Sequence, residues 1–510
     1  MTSQRKAGVL LGYSNILVKN LVYLLYTPML LHFIGDTDYG VYQSTNSFVF
    51  SLTLLTFGFS EAYVRFYMQF KAKKDDQHIR KLNGTYLVLY LAITAVAMVL
   101  GMLFAANAQS IFSKGFTPSQ VSLARKLIEI MTLNIALTLF STVFDAYILA
   151  HEKFVFQQSR QLFTTLAGPF LSYLLLVAGM GAVGVAFAQL LLTCTLLALN
   201  AHFAISRLGM RFQIHGFDIH LLRVISTFSA WIFANQLCEL ANQNLPNVLL
   251  GMFASAQAVA VFAVAVQIRS IFYSLSTTMS NVFVPSINRI VAESDDNDKL
   301  THLMTRVGRY QAIVYLWVWG GFIITGYFFV RKWAGENFSM VYWMIIAMVT
   351  PLFIPLVQNT GIEIQRAKNR HKARSIAYLC MAALNVALTI VLAPSLGYWA
   401  PVIGYATYVI FGCGFFMNWY YHTHIKLNMR YFWGSVSRVV IVTLGVLAIC
   451  LVGTYYLPVV NWWLFILWGS MYSIIYFGAI HAFALTKEER AQIVQRIAKS
   501  KKSAQKTNTR

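Results

Sequence analysis

The chain has 510 residues, of which 58% are hydrophobic and only 11% are charged, and its mean hydropathy is +0.59. Soluble globular domains carry about 25% charged residues, so this composition excludes a soluble protein and indicates one that crosses a membrane many times. The formal net charge is +22. In a membrane protein such an excess of Lys and Arg belongs to loops that set orientation, so we expect no nucleic-acid partner.

Fourteen apolar stretches follow one another along the chain, each at least about 20 residues long, which is the length that a helix needs to cross a bilayer. Their predicted starts lie near Gly8, Gly40, Leu82, Ala124, Gln158, Ala182, Leu221, Ala256, Thr305, Met340, Arg374, Ala400, Phe432 and Trp462. The connections between them are short. The sequence therefore predicts an all-α integral membrane protein with 14 transmembrane helices and no inserted soluble domain.

Lys and Arg are distributed asymmetrically between the two ends of the predicted helices. With the N-terminus inside, the basic residues of the outer segments are Lys114, Arg125, Lys126, Arg331 and Lys332. Most of the chain's 40 basic residues fall instead in inner loops or in the tail. Because cytoplasmic loops carry the excess of Lys and Arg, this pattern predicts that both termini lie in the cytoplasm. The basic tail is expected to lie on the anionic inner leaflet, or to be a plain solvated extension.

Features of the first half of the chain recur about 220 residues later. Segment 60–65 corresponds to 280–285, Pro28 corresponds to Pro246, and the basic loop at 151–154 corresponds to the one at 369–372. A shared period of this size predicts two six-helix lobes with the same topology. The predicted divisions are an N-terminal lobe (1–215), a C-terminal lobe (216–425), two further helices (426–486) and the basic cytoplasmic tail (487–510).

Three charged residues lie near the middle of predicted spans: Lys19 in the first, Glu239 in the seventh and Arg269 in the eighth. A charge at the centre of a bilayer costs about 3 kcal/mol or more, so such residues usually face other helices or water rather than lipid. We expect them to line a polar cavity that binds an anionic group, with Glu239 as a candidate cation or ion-pair site. Structural ion pairing between packed helices is the alternative.

Polar residues accompany these charges at helical spacing. Asn15, Tyr23 and Tyr26 share a face with Lys19, and Asn235 shares a face with Glu239. We expect these four polar side chains to line the cavity together with Lys19 and Arg269.

Glu61 and Arg65 lie four residues apart near the inner end of the second predicted span. Residues at this spacing on a helix are neighbours, so opposite charges can pair. We assign them as a candidate inner gate. The alternative for Arg65 is that its long side chain only extends to the membrane surface.

Patterns that would indicate an enzyme are weak. Segment 36–38 (Asp-Thr-Asp) resembles an acidic motif of sugar-nucleotide transferases, but it lies in a short outer loop, where nucleotide sugars are absent. His422 and His424 form a weak metal-binding pattern without a third ligand, and the sequence contains no phosphate-binding P-loop. We therefore predict no catalytic residues, no metal site and no cofactor, with proton or sodium coupling left open.

Three stretches resemble a known family. They are Gly8 to Tyr42, with Tyr26-Thr27-Pro28, Ile34-Gly35 and Tyr39-Gly40; Ala150 to Phe154; and Gln358 to Arg370. They resemble the bacterial lipid-linked oligosaccharide flippases, the polysaccharide repeat-unit translocases of the multidrug/oligosaccharidyl-lipid/polysaccharide exporter superfamily. The resemblance implies two six-helix lobes around a central cavity plus two C-terminal helices, with the first, second, seventh and eighth helices lining that cavity.

The function implied by this resemblance is translocation of a polyprenyl-diphosphate-linked oligosaccharide across the bacterial plasma membrane by alternating access. It serves capsule, exopolysaccharide or O-antigen synthesis. Sugars and a diphosphate cannot cross hydrocarbon unaided, whereas Lys and Arg are suitable donors to the diphosphate. The expected partners are the lipid-linked oligosaccharide, membrane lipids and other polysaccharide-assembly proteins.

Three alternatives stay open. A peptidoglycan-precursor flippase belongs to the same superfamily and is hard to separate from this interpretation. A cation-coupled multidrug exporter generally has twelve helices and often prefers cationic substrates, so two central cations disfavour it. A membrane-embedded polysaccharide polymerase usually has a large catalytic loop, and the longest outer connection here, 107–122, is too short for one.

Overall fold

The structure is a computed structural model, and it describes residues 3–213, 233, 236–281, 283–370, 372–486 and 489–490. All regular secondary structure in these ranges is helical. We number the α-helices in chain order: α1 Ser3–Phe50, α2 Phe59–Ala72, α3 Asp76–Ala106, α4 Ala108–Phe112, α5 Pro118–Ala150, α6 Phe154–Val177, α7 Gly181–His202, α8 Leu245–Phe253, α9 Ala256–Asn281, α10 Val284–Glu293, α11 Asn297–Trp333, α12 Ser339–Val357, α13 Asn359–Ala367, α14 Lys372–Leu396, α15 Trp399–Thr407, α16 Met417–Thr423, α17 Met429–Tyr456 and α18 Trp462–Ala479.

Ten stretches of the described residues are helical, long and apolar enough to cross a membrane. The all-α, multi-pass membrane architecture predicted from the sequence is confirmed at this level. The predicted total of fourteen spans is not confirmed. The spans predicted near Gly8, Gly40 and Gln158 are helical but are not among the ten, and most of the span predicted near Leu221 lies outside the described residues.

One interruption separates the first two predicted spans, and another lies within the second. α1 is not continuous, because Gly35 has φ 76° and ψ 168°, a conformation that glycine adopts without strain. The second predicted span is interrupted again where Phe57 and Gly58 both have positive φ, at 46° and 70°. α2 starts immediately after this second interruption. Glu61 and Arg65 therefore belong to a separate short helix rather than to the end of a continuous one.

Side-chain caps fix the starts of several long helices. Asp75, Asp296, Asn428 and Asn461 each accept a hydrogen bond from a backbone N–H in the first turn of the helix that follows. Thr117 does the same at the start of α5, as part of a capping box. The first N–H groups of a helix have no partner within the helix, so these caps satisfy donors that would otherwise need water.

The internal repeat predicted from the sequence is visible in the order of the elements. α3, α6 and α7 begin about 220 residues before α11, α14 and α15 respectively. Residues with positive φ recur at the same offset: Lys74 and Asp295, Glu152 and Asn369, and Gly209 and Lys426. Two distant parts of the chain thus share one order of helices and turns, while the predicted lobe boundaries stay a prediction.

The chain separates into two compact units. Unit 1 comprises Met1–Val266 and Ser375–Tyr408, and unit 2 comprises Gln267–Arg374 and Val409–Arg510. Unit 1 therefore includes α1 to α8, the beginning of α9, most of α14 and all of α15. Unit 2 includes the remainder of α9, α10 to α13, and α16 to α18.

Unit 1 contains a core of buried tyrosines from α2, α3 and α5. The Tyr63 hydroxyl donates to Asn83 Oδ1 at 2.6 Å, and the Tyr86 hydroxyl donates to the backbone oxygen of Phe59 at 2.9 Å. A buried phenol needs such a partner, because an unpaired hydroxyl in an apolar interior is costly. These bonds therefore fix the position of α2 directly after the Phe57–Gly58 interruption.

Unit 2 is built around α11. The hydroxyl of Tyr315 in α11 donates to the backbone oxygen of Val349 in α12 at 2.6 Å. From α18, the hydroxyl of Tyr472 donates to Leu316 O at 3.1 Å, and that of Tyr476 donates to Ile313 O at 2.8 Å. α17 also packs against α11. The two C-terminal helices are therefore packed against α11 and leave a cleft where α11 and α17 begin.

Candidate functional site

Two residues of the predicted polar stripe on α1 pack against α6 within unit 1. Asn15 is buried, and its Nδ2 donates to the backbone oxygen and to Oε1 of Gln158, at 2.8 and 2.7 Å. The Tyr26 hydroxyl donates to Ser172 Oγ at 3.0 Å. Both side chains thus hold α1 and α6 together, and their contact with a substrate stays a prediction.

The other two residues of the stripe, Lys19 and Tyr23, are exposed. Lys19 Nζ lies 5.6 Å from the centroid of the Tyr23 ring, which is within the range of a cation–π interaction. An aromatic face stabilises the ammonium group without neutralising it. The Lys19 side chain lies on an exposed face of α1, and its role in binding an anionic group stays a prediction.

Residues 236–243 form a helix whose faces differ. Asn242 is buried and accepts a hydrogen bond at its Oδ1 from Asn385 Nδ2 of α14, at 2.8 Å. Glu239 is exposed. The segment therefore packs on α14 through Asn242 and leaves the Glu239 carboxyl group on its exposed side. Asn235 lies outside the described residues, and the role of Glu239 as a cation or ion-pair site stays a prediction.

Arg269 is buried in α9, within an apolar stretch that is long enough to cross a membrane. Its side chain is only 2% exposed, and its Nη1 lies 4.0 Å from Met348 Sδ of α12. Taking a guanidinium group out of water is expensive, so a buried arginine marks either a structural ion pair or a functional site. The position of Arg269 near the middle of the membrane and its role in binding an anionic group stay predictions.

The candidate inner gate lies on α2. Glu61 falls in the first turn of this helix, where the helix dipole favours a negative charge. Its side chain is not among those that the structure describes. Arg65 is exposed, one turn further on, and makes contacts of its own. The pairing of the two side chains and their gating role stay predictions.

Buried amides without partners lie on α13 and just before it, in unit 2. Gln358 is 2% exposed and Gln365 is fully buried, yet neither side-chain amide has a hydrogen-bonding partner among the described residues. The buried Thr360 Oγ1 also has no hydrogen-bonding partner among the described residues. Unpaired buried polar groups are costly, so such groups suit contact with internal water or with a polar ligand. All three fall in the segment 358–370 that resembles the flippase family.

The sequence did not predict a cavity at the start of α11, which we call the basic cavity. Its volume is about 590 Å³, and the residues of its lining used below are His302, Thr305, Arg306, Arg309, Arg438 and Glu489. A signal for it exists in the sequence, because His302, Arg306 and Arg309 are spaced i, i+4 and i+7 and share one face of α11.

Arg309 links three of the segments that surround the basic cavity. Its guanidinium group pairs with Glu489 through two hydrogen bonds of 2.9 Å, and it also donates to the backbone oxygens of Ser435 and Ala484, at 2.6 and 2.7 Å. Burial alone would raise the pKa of the Glu489 carboxyl group. The hydrogen bonds from Arg309 and from the Thr486 backbone N–H outweigh burial and hold that pKa below its usual value.

The family and fold of the chain follow from two comparisons. A family profile described as "Polysaccharide biosynthesis protein" matches residues 29–342, which is more than half of the chain. No curated protein sequence gives a significant match. The resemblance predicted from the sequence is therefore confirmed at the level of the family.

Several solved structures have a similar fold. A lipid II flippase MurJ in an inward closed conformation gives a TM-score of 0.72 at 15% identity, covering 93% of this chain and 99% of that chain. An inward-facing MATE family multidrug resistance transporter of the MOP superfamily gives 0.60 at 16% identity, covering 80% and 99%. The Vibrio cholerae MATE transporter VcmN in its bent form gives 0.53 at 14% identity, covering 84% and 98%. Identities this low establish the fold and not the substrate.

Proposed function

The chain belongs to the family of polysaccharide biosynthesis proteins, and on this premise we propose that it is a flippase for a polyprenyl-diphosphate-linked oligosaccharide. It moves this lipid from the inner to the outer leaflet of a bacterial plasma membrane, with both of its termini in the cytoplasm. One observation carries the proposal: a chain of this family has a fold that a lipid flippase also has. Family and fold point to transport rather than to catalysis.

The physical task of such a protein is to carry a polar head through hydrocarbon. The polyprenyl chain can stay in the bilayer, whereas sugars and a diphosphate lose their hydration there at a prohibitive cost. Arginine offers a diphosphate several charge-assisted hydrogen bonds in a planar fork, and lysine offers a mobile point charge. Arg269, buried in an apolar helix, and Lys19, charged on an exposed face of α1, support this assignment.

Two alternatives belong to the same fold. A peptidoglycan-precursor flippase is supported by the likeness to MurJ, but that likeness is one of fold, while the family match concerns polysaccharide biosynthesis. A multidrug exporter is supported by the likeness to MATE transporters, which cover less of this chain. Cations at Lys19 and Arg269 repel the cationic substrates that such exporters often carry, so we favour the oligosaccharide flippase.

A genetic experiment tests the proposal and the site together. The gene is deleted in its bacterial host, and lipid-linked repeat units are measured in each leaflet, together with exported polysaccharide. We expect repeat units to accumulate on the inner leaflet and export to stop. The wild-type chain restores export, as does Arg125→Gln, a matched control that removes an exposed arginine paired with Glu129.

The site variants are Lys19→Gln, Arg269→Gln and Arg269→Lys. We expect the two glutamine variants to restore little export and Arg269→Lys to restore part of it, because a cation is retained. The amount of each variant in the membrane is measured, so that loss of folding is separated from loss of transport. Unchanged repeat units after deletion would contradict the function, and full export by both glutamine variants would remove the site assignment.

A further inference from the structure

The basic cavity carries an excess of positive charge. Among the described residues that line it, Glu489 is the sole carboxylate, and this carboxylate is paired with Arg309. Arg306 and Arg438 are exposed, and neither has an ion-pair partner in the described parts of the chain. Two guanidinium groups without an ion-pair partner among the described residues, one on α11 and one on α17, favour an anionic ligand.

A buried hydroxyl group distinguishes the basic cavity from an ordinary basic surface. Thr305 is 4% exposed, lines the cavity, and has no hydrogen-bonding partner for its Oγ1 within the described residues. Long side chains on a helix often extend to the membrane surface, and this alone would account for the exposure of Arg306 and Arg438. It does not explain an unpaired buried hydroxyl beside them. That group suits an oxygen atom of a bound ligand.

A second, apolar cavity lies deeper between the same helices. It has a volume of about 190 Å³, and its lining includes Leu316 and Trp319 of α11, Phe353 of α12, and Val440 and Leu444 of α17. Leu316 lies seven residues beyond Arg309, which is about 10 Å along a helix. On α17, Leu444 lies beyond Arg438 by a similar rise. The seam of α11 and α17 therefore has a basic end followed by an apolar stretch.

We propose that this seam binds an anionic phospholipid of the inner leaflet, with its phosphate group in the basic cavity and an acyl chain along the apolar cavity. Arg306, Arg438 and Thr305 donate to the phosphate oxygens, while Arg309 stays paired with Glu489 and holds the wall. Free phosphate would use the basic cavity alone and would leave the apolar one unexplained. This inference does not depend on the flippase function, because neither Lys19 nor Arg269 lines either cavity.

The headgroup is tested by titrating purified, delipidated full-length protein with phosphatidylglycerol in a neutral detergent, with native mass spectrometry as the readout. We expect the double variant Arg306→Gln/Arg438→Gln to bind this lipid about tenfold more weakly, or weaker still, because two charge-assisted contacts are lost. The matched control is Lys426→Gln/Arg430→Gln, which removes two exposed charges outside the cavity. It should bind as the wild type does. Equal affinity in the cavity variant, or an equal loss in the control, would overturn the proposal.

The acyl chain is tested with a second pair of variants in α17. Leu444→Trp fills the apolar cavity, whereas Leu451→Trp places the same side chain at an exposed position of the same helix outside it. We expect Leu444→Trp to weaken long-chain phosphatidylglycerol severalfold and to leave dihexanoyl phosphatidylglycerol unchanged. Leu451→Trp should change neither. No difference between the two tryptophan variants would overturn the placement of the chain.

Competition identifies the source of the phosphate group. We expect phosphatidylcholine and inorganic phosphate to displace bound phosphatidylglycerol poorly, since the first lacks net charge and the second lacks a chain. Displacement by inorganic phosphate at similar concentrations would show a simple anion site and overturn the lipid assignment. Stronger displacement by a polyprenyl diphosphate would assign the seam to the transported lipid and overturn its assignment to a membrane phospholipid.

Discussion

Arg309 and Glu489, 180 residues apart in the chain, form a bidentate ion pair in which Nε and Nη2 each donate to one carboxylate oxygen at 2.9 Å. Their side chains are 4% and 10% exposed. Glu489 also forms a capping box with Thr486, because each accepts a hydrogen bond from the backbone N–H of the other. One carboxylate therefore fastens the segment after α18 to α11 and helps to begin the next helical turn.

Removing the carboxylate should destabilise unit 2. Glu489→Gln leaves a buried guanidinium group without its counter-charge, and we expect the free energy of unfolding to fall by about 3 kcal/mol. The measurement is thermal unfolding of purified protein in detergent. Glu336→Gln is the matched control, since it removes the partner of Arg331 in an exposed ion pair and should leave the melting temperature nearly unchanged. Equal melting temperatures for Glu489→Gln and the wild type would contradict the structural role of the pair.

The same pair predicts the direction of a pH dependence. The pKa of Glu489 lies below its ordinary value of 4.5 in the folded protein, so its pairing stabilises the fold above that value. This contribution is lost as the pH falls through the folded-state pKa. The difference in melting temperature between wild type and Glu489→Gln should be constant near neutral pH and should shrink in acid. A difference that grows on acidification would contradict the assignment.

Close packing of α1 against α9 makes Gly40 sensitive to any side chain. A Cβ at this position would lie 1.8 Å from the backbone oxygen of Ala256, which cannot move aside as a side chain can. We expect Gly40→Ala to cost about 3 kcal/mol or more and to reduce folded protein in the membrane. Gly445→Ala is the control, because nothing lies within 4 Å of the added atom. Similar yields and melting temperatures for both variants would show that the packing is looser than described.

A membrane potential should accelerate the proposed transport. An inside-negative potential favours outward movement of an anion by about 2.3 kcal/mol per charge for each 100 mV, so a diphosphate head is driven outward without ATP. We expect flipping in proteoliposomes to slow when the potential is dissipated and to speed up when it is imposed. A proton or sodium gradient is varied separately, because coupling at Glu239 would respond to the ion and not to the potential alone. Flipping rates that do not change with the membrane potential would exclude this driving force.

The helical architecture could be predicted because hydrophobic stretches of bilayer length leave a strong signal. The break at Gly35 falls at the connection predicted between the first two spans, next to segment 36–38. The second break could not be predicted, because the positive φ at Phe57 and Gly58 falls inside the second predicted span and hydropathy carries no information on it. The spacing predicted one shared face for Asn15, Lys19, Tyr23 and Tyr26, but Lys19 and Tyr23 are exposed whereas Asn15 and Tyr26 contact a neighbouring helix. In the structure that neighbour is α6, through Gln158 and Ser172.

The ion pair of Arg309 and Glu489 could not be predicted from the sequence either. Each residue looked unremarkable in the sequence, one in an inner loop region and one in a basic tail. Their pairing depends on how α11 packs against α17 and α18, which lie about 100 residues or more further along the chain. Packing also distinguishes Glu239 from a near neighbour on the same helix. Asn242 bonds Asn385, whereas Glu239 stays exposed.

The central claim is tested most directly by reconstituting the purified chain in liposomes that contain a polyprenyl-diphosphate-linked oligosaccharide. The measured quantity is the rate at which the sugar head in the inner leaflet becomes accessible to a membrane-impermeant sugar-cleaving enzyme outside. We predict movement that depends on the protein, is slowed by Lys19→Gln and Arg269→Gln, and is unchanged by Arg125→Gln. Folded protein that gives no more movement than protein-free liposomes would contradict the account.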